Sequence, residues 1–597
     1  MEQLEPVSES IHGKDSNHQS ARWLRALAAA ELGDGQSRVV SLGGQTIVLF
    51  NAQGRLFAVD NRCPHMGFPL DRGTIKDCIL TCHWHHARFD LESGGTFDQW
   101  ADDVRVFPVK VEDGAILVDV AERGGRRERA LSRLSDGLER DIPLVIAKSV
   151  LALLEEGGDP RAALRAGLEF GVSNRRDGWG SGLTTLTCLA NLASALHPED
   201  RAHALYHGLA AVARDTDGNP PRFAVRPLPG RGADPATLKR WFRSFVEVRD
   251  SEGAERCITS AVELGASSAQ LADMMFAAAT DHRYLTGGHV LDFTNKAFEA
   301  LDHGAGDLSA KVLASLARSY AMGERMEESN QWRNPVDLVA ICETAFEKLP
   351  PAVAAGRNAG SRSWSGRETL AAIVLGDDPQ EIADAMLAAL REGATPAELS
   401  GAVAYAAALR IARFHTSNEF GDWDTAHHSF TFANAVHEAT LRAPSAELVR
   451  GTFDAAMSVY LNRFLNVPAA KIPASNGSAQ PTAQELLHSL LPLLDRQQQV
   501  DGVTALTAGY FARGGEPAAL VAELGRALLR EDRDFHSIQD FEAAVRVGWH
   551  LGATPAAAHV LIATARYLAA HSPTVRAQGQ TWKIASRLYR GEKLFEE

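Results

Sequence analysis

Four residues in one short stretch carry the first recognisable chemistry of this chain. They form two motifs, Cys63-Pro64-His65 and Cys82-His83-Trp84-His85, written C-x-H and C-x-x-H with sixteen residues between them. Thiolates are soft, charge-donating ligands, whereas neutral imidazoles leave a metal less negatively charged. Each motif supplies one Cys and one His, so each loop can put its sulfur on one metal and its imidazole on another. A Cys2His2 zinc site uses the same ligand types, but it keeps both Cys in one motif and both His in the other. The alternation here favours a two-metal cluster over zinc.

A second set of candidate ligands lies far downstream. His282, His415 and His571 each follow a helix that starts just after a glycine turn, at Gly265, Gly393 and Gly552. The stretch from Gly288 to Asn295 also aligns with that from His427 to Asn434. The alignment pairs His289 with His428, Phe293 with Phe432 and Asn295 with Asn434, and further on Glu299 with Glu438. Arg533-Asp534-Phe535-His536-Ser537-Ile538-Gln539 mixes aromatic and polar residues without amphipathic order. Inward-pointing side chains on facing helices commonly build non-haem iron sites, and imidazole suits iron. The candidate ligands are therefore His282, His289, His415, His428 and His536, with Asp292, Asp422 or Asp424 to complete the shell or orient a ring nitrogen. His427 and His437 are weaker; one member of an adjacent-His pair such as His427 and His428 usually points elsewhere. His203 and His207 are i, i+4 on one helix but lack counterparts in the other repeats, so they read as ordinary buried residues.

These ligands need two kinds of scaffold. Val39–Leu42, Thr46–Phe50 and Leu56–Asp60 are short β-rich runs with a turn at Asn51-Ala52-Gln53-Gly54, and further strands follow the second motif. From Pro143 onward, apolar residues recur at three- and four-residue steps, as at Leu271, Met274, Met275 and Ala278, which predicts amphipathic helices. Gly157-Gly158-Asp159-Pro160, Gly265-Ala266-Ser267-Ser268, Gly393-Ala394-Thr395-Pro396 and Gly552-Ala553-Thr554-Pro555 each end one helix and cap the next. The expected fold is multidomain. A small all-β domain over 22–121 and a charged linker over 122–142 precede a large all-α domain of repeated helical hairpins over 143–597.

At 597 residues, the chain is too long for one core. Six cysteines, four of them scattered beyond the two motifs, do not make a disulfide framework. Residues 1–20 are polar and no apolar run reaches transmembrane length, so the expectation is a soluble cytoplasmic protein without membrane association. A formal net charge of −14 argues against a nucleic-acid partner.

The two Cys/His motifs and the strands around them resemble a ferredoxin-type Rieske [2Fe–2S] domain, from about Trp23 to Val120. The resemblance implies that Cys63, His65, Cys82 and His85 hold the cluster. It also implies one-electron transfer, with a ferredoxin or an NAD(P)H-dependent reductase as electron donor. Cys78 has no cysteine near Phe68 to pair with, unlike the extra cysteine pair of high-potential Rieske domains, which suggests a lower-potential carrier. Phe97-Asp98-Gln99-Trp100-Ala101 stands where such domains often carry a Gly-Pro loop. The helical remainder resembles, more loosely, the questin oxidase-like proteins, which implies O2-dependent oxidation of an organic, aromatic small molecule at a His-bound mononuclear or dinuclear non-haem iron. The close-spaced Asp/His/His motif of the large Rieske ring-hydroxylating oxygenases is missing. Two readings follow: a Rieske-type oxygenase, or an electron-transfer or redox-sensing protein whose helical repeats are a docking scaffold. The sequence leaves the substrate and the oligomeric state open.

Overall fold

The computed structural model describes residues 22–121, 126–230, 233–358, 364–473, 481–592 and 594. Contacts divide the chain into two compact units. One comprises Met1–Asp136, Leu151–Leu153 and Ile584–Glu597; the other comprises Gly137–Val150 and Leu154–Lys583.

Among the described residues, the first unit holds ten strands in three antiparallel sheets. These are β1 (Trp23–Ala28), β2 (Ser37–Leu42), β3 (Gln45–Ala52), β4 (Arg55–Asp60), β5 (Thr74–Lys76), β6 (Ile79–Thr81), β7 (Arg88–Asp90), β8 (Val106–Phe107), β9 (Val109–Glu112) and β10 (Ala115–Asp119). The sheet orders are β1-β10-β9, β2-β3-β4-β8 and β5-β6-β7. Successive side chains of a strand point to opposite faces, and β3 buries both. Val48 and Phe50 enter the core that also holds Cys63 and Cys82, while Ile47 and Leu49 enter a second core with Ile116 and Val118. The β3–β4 hairpin turns at Gln53 and Gly54, both at positive φ, as a tight two-residue connection requires.

The expected linker contains a helix, Arg126–Glu139. Its Arg133 reaches Asp102 at 3.1 Å and the carbonyls of Gln99 and Ala101 at 3.2 and 3.0 Å, fastening it beside the strand domain. The last residues of the chain belong to the same unit. Arg62 donates to the carbonyls of Leu588 and Glu592, and Leu588 packs on Gly67.

The second unit is helical throughout its regular structure among the described residues. Gly157, Gly265, Gly393 and Gly552 all adopt positive φ, as expected of turns that end a helix. The expected cap after Gly157 is missing, since Pro160 stands at the N-cap and makes no side-chain capping bond. Ser267 and Thr395 then form capping boxes with Gln270 and Glu398. Thr554 precedes its helix without a capping bond to the helix backbone and instead donates to the Leu551 carbonyl. The Phe420–Arg442 helix packs against the helices His289–Asp302, Pro396–Ala412 and Phe535–Leu551. Among the described residues, no helix is long and apolar enough to cross a membrane.

Candidate functional site

In the first unit, two loops of the same design carry the Cys/His motifs. Cys63 N–H donates to the Phe68 carbonyl at 2.8 Å, and the Cys63 carbonyl accepts Gly67 N–H at 2.7 Å. Cys82 repeats this with the Ala87 carbonyl at 2.8 Å and His86 N–H at 3.0 Å. The fourth residue after each cysteine, Gly67 or His86, takes positive φ and turns the chain back. Both sulfurs are buried and face each other. The Cys63 thiol donates to Cys82, and that bond, with the backbone N–H groups of Trp84 and His85, holds Cys82 below the usual thiol range. The same bond and burial push Cys63 up. Backbone N–H groups of His65 and Met66 also point at the Cys63 sulfur, so both thiolates have donors waiting for them.

The two imidazoles meet edge to face with ring centroids 4.8 Å apart, and His85 is exposed. Two facing sulfurs and two facing imidazoles, one of each per loop, suit a two-iron cluster with sulfur on one iron and nitrogen on the other. All six cysteines are free, Cys78 included. The atypical 97–101 segment forms a third wall, where Trp100 packs edge-on against His65 at 4.6 Å. Sequence reasoning singled out this segment only for its departure from a pattern. It missed the role of Trp100, which depends on a tertiary contact between residues far apart in the chain.

In the second unit, three of the five histidines expected to bind metal converge. One ring nitrogen from each of His289, His428 and His536 lies within 4.8 Å of the other two. His428 Nε2 is 3.1 Å from His536 Nε2. At metal–nitrogen bonds of about 2.1 Å, two ligands of one ion stand about 3.0–3.4 Å apart, so this pair already has ligand spacing. Each residue comes from a different helix. His289 opens its helix after a loop in which Tyr284, Thr286, Gly287 and Gly288 all take positive φ. A Cβ on Gly288 would stand 2.8 Å from Phe432, so glycine lets this helix start against the Phe420–Arg442 helix. His536 is the second residue of its helix, which Asp534 caps through Ser537 N–H at 3.0 Å.

The three rings are half-buried. Burial and its two neighbours push His289 down to about 3, and burial and His536 push His428 down to about 4. Both are thus neutral near pH 7, the state in which imidazole offers a lone pair to a metal. Phe293 and Phe535 pack against His289, at 5.2 and 5.9 Å between ring centroids.

The other two histidines lie outside this group. His282 is held between Glu327 at 2.7 Å and Glu247 at 3.1 Å, and His415 bonds Ser417 at 2.8 Å. The candidate carboxylates are also engaged elsewhere. Asp292 accepts from Gln539, Asp422 closes a capping box with Glu419, and Asp424 accepts the Tyr567 hydroxyl at 2.7 Å. Sequence reasoning set aside His427, yet its ring is fully buried beside the group, with centroids 5.4 Å from His428 and 5.2 Å from His536.

Beneath the histidines, the same helices bury a column of polar groups. Lys296 lies between Glu299 at 3.0 Å and Glu542 at 2.5 Å. Arg546 spans Glu299, Glu438 and Glu542 at 3.1, 2.8 and 2.8 Å, and Asn191 donates to Glu299 and Glu542. The aligned pair Glu299 and Glu438 thus meets on one guanidinium, as the aligned pair His289 and His428 meets in one cluster.

Comparison with known proteins places the first site. Residues 22–108 match the Rieske [2Fe–2S] domain model. The chain is 37% identical to the 3-phenylpropionate/cinnamic acid dioxygenase ferredoxin subunit of Photorhabdus laumondii, covering 15% of this chain and 89% of that one. It is 24% identical to the naphthalene 1,2-dioxygenase ferredoxin component of Pseudomonas putida, over 17% of this chain and 99% of that one. With mouse apoptosis-inducing factor 3 it is 25% identical over 33% of this chain, and it spans only 29% of that protein. The solved Sphingomonas yanoikuyae B1 ferredoxin is 26% identical over 17% of this chain and all of that one, with a TM-score of 0.16. Through residues 22–108 the chain belongs to the Rieske [2Fe–2S] domain family, and its first site serves electron transfer.

Proposed function

We propose that the protein is a Rieske-type oxygenase in which one chain carries both the electron-transfer cluster and an iron centre held by His289, His428 and His536. The convergence of three imidazoles from three separate helices carries this reading. Its relatives in dioxygenase systems are ferredoxin components, which supports an oxygenase as the destination of the electrons. In this reading Cys63, His65, Cys82 and His85 hold the [2Fe–2S] cluster, which supplies electrons one at a time. His289, His428 and His536 would hold the iron, which would supply the O2 chemistry when bound. Phe293 and Phe535, packed on His289, give the surroundings of the group an apolar, aromatic character that suits an apolar or aromatic small molecule. Carrying both centres on one chain makes the electron transfer independent of a diffusing carrier. A ferredoxin or an NAD(P)H-dependent reductase recharges the cluster.

The test is O2 uptake by the full chain with excess chemical reductant, compared with His428→Ala. The expected outcome is loss of uptake in the variant with an unchanged Rieske EPR signal. Equal uptake in both would take the helical unit out of the reaction and return the protein to the class of electron carriers.

A further inference from the structure

The residue nearest the three-histidine group that the proposed function leaves unused is His427. Its ring is fully buried, and neither ring nitrogen has a hydrogen-bond partner. Buried polar atoms are rarely left this way, and each exception needs a physical reason. The surroundings supply one. Asp540 lies one turn beyond His536 on the same helix, and its Oδ1 is 3.5 Å from His427 Nδ1. Its other oxygen, Oδ2, accepts the Thr564 hydroxyl at 2.6 Å. Asp540 Oδ1 likewise has no hydrogen-bond partner. Thr564 therefore fixes the carboxylate so that its free oxygen faces His427.

A carboxylate at Nδ1 selects the tautomer with hydrogen on Nδ1 and the lone pair on Nε2, the arrangement by which second-layer carboxylates hold metal-binding histidines. The His427 ring packs beside the rings of His428, His536 and Tyr567, with centroids 5.4, 5.2 and 5.3 Å away. Its nitrogens lie outside the set that agrees within 4.8 Å, so a short ring movement accompanies binding.

We infer that His427 is a fourth imidazole donor of the helical-unit metal centre, with Asp540 and Thr564 as its positioning residues. This rests on the three-histidine reading and extends it to a centre with four nitrogen donors. In this arrangement the ring movement brings Nδ1–H onto the free Asp540 oxygen, and no protein carboxylate enters the metal's own shell.

Cobalt(II) is the probe, because its absorption edge is separate from that of the Rieske iron. The full chain is treated with a chelator that leaves the cluster absorbance unchanged and then titrated with Co(II). X-ray absorption at the cobalt edge counts the imidazoles. The wild type is expected to show four imidazole nitrogens. His427→Ala is expected to show three, with a dissociation constant raised about 10–100-fold. Asp540→Asn, which keeps the shape of the side chain, is expected to weaken binding about 10-fold. His427→Gln, which fills the same space, covers the case in which the alanine variant does not fold. Three imidazoles in the wild type, with unchanged affinity in the His427 variants, would overturn the inference and leave the three-histidine site standing. A wild-type protein that takes up no Co(II) would overturn both.

Discussion

His428 and His536 approach to 3.1 Å through their Nε2 atoms, and ten residues further along the same two helices Glu438 and Arg546 meet at 2.8 Å. The two helices are thus clamped about 15 Å below the histidine pair. The third helix repeats the spacing with His289 and Glu299, and Glu299 reaches the same guanidinium at 3.1 Å. The clamp sets the angle at which the three imidazoles are presented.

The two sites are expected to fail independently. His289→Ala or His536→Ala should remove the helical-unit metal and any turnover while leaving the Rieske spectrum intact. Cys82→Ser or His85→Ala should abolish the Rieske EPR signal and leave the helical-unit metal bound. Metal analysis together with EPR on the same samples checks both. Loss of the Rieske signal in the helical-unit variants would contradict the separation into two sites.

The buried charge column should be costly to break. Lys296 is fully buried between Glu299 and Glu542. Lys296→Ala would leave two carboxylates buried without their shared cation and should destabilise the helical unit by about 3–5 kcal/mol. Denaturant unfolding followed by circular dichroism measures this. A change below about 1 kcal/mol would show that Arg546 and Asn191 satisfy both carboxylates unaided.

Legibility from sequence followed the locality of each signal. The four Rieske ligands sit in two adjacent loops, so their identity and spacing survive as a linear pattern. His289 and His428 were readable because two helices repeat one register, including Phe293 with Phe432 and Glu299 with Glu438. His282 and His415 entered through the same repeat argument, but they lie past helix ends, where Glu327, Glu247 and Ser417 take up their nitrogens. His427 was set aside by the adjacency rule, which holds for a helix face but not for a ring enclosed by three helices. The membership of Ile584–Glu597 in the first unit depends on contacts such as Arg62 with Leu588, which no local pattern encodes.

Acid should weaken the helical unit through a pair of histidines outside the three-histidine group. His203 and His207 are buried, with their Nε2 atoms 3.1 Å apart, and His203 stacks on Trp582. Burial pushes His203 down to about 2 and His207 down to about 4. The unfolded chain takes up protons near 6.5 while the folded chain refuses them until much lower pH. Stability is therefore full above about pH 6.5 and is lost as pH falls through about 4. His207→Gln should flatten this loss, read as urea midpoints at pH 7.5 and pH 4.5. Equal slopes for variant and wild type would contradict the assignment.

Trp100 should tune the first site without building it. It packs on His65 and contributes no ligand. Trp100→Ala should leave the cluster assembled and open His65 to water, which favours the more highly charged reduced state. The reduction potential should rise by an amount on the order of tens of millivolts, as followed by spectroelectrochemistry. A fall, or loss of the cluster, would contradict this role.

The most direct test of the whole account is the ratio of iron to acid-labile sulfide per chain, in protein purified without oxygen. Iron is expected in excess of sulfide, at least one iron more than the pair that accompanies two sulfides in the cluster. That excess should persist in Cys82→Ser and vanish in His428→Ala. Equal iron and sulfide in the wild type, both vanishing together in Cys82→Ser, would contradict a second iron centre and leave a Rieske electron carrier with a helical scaffold.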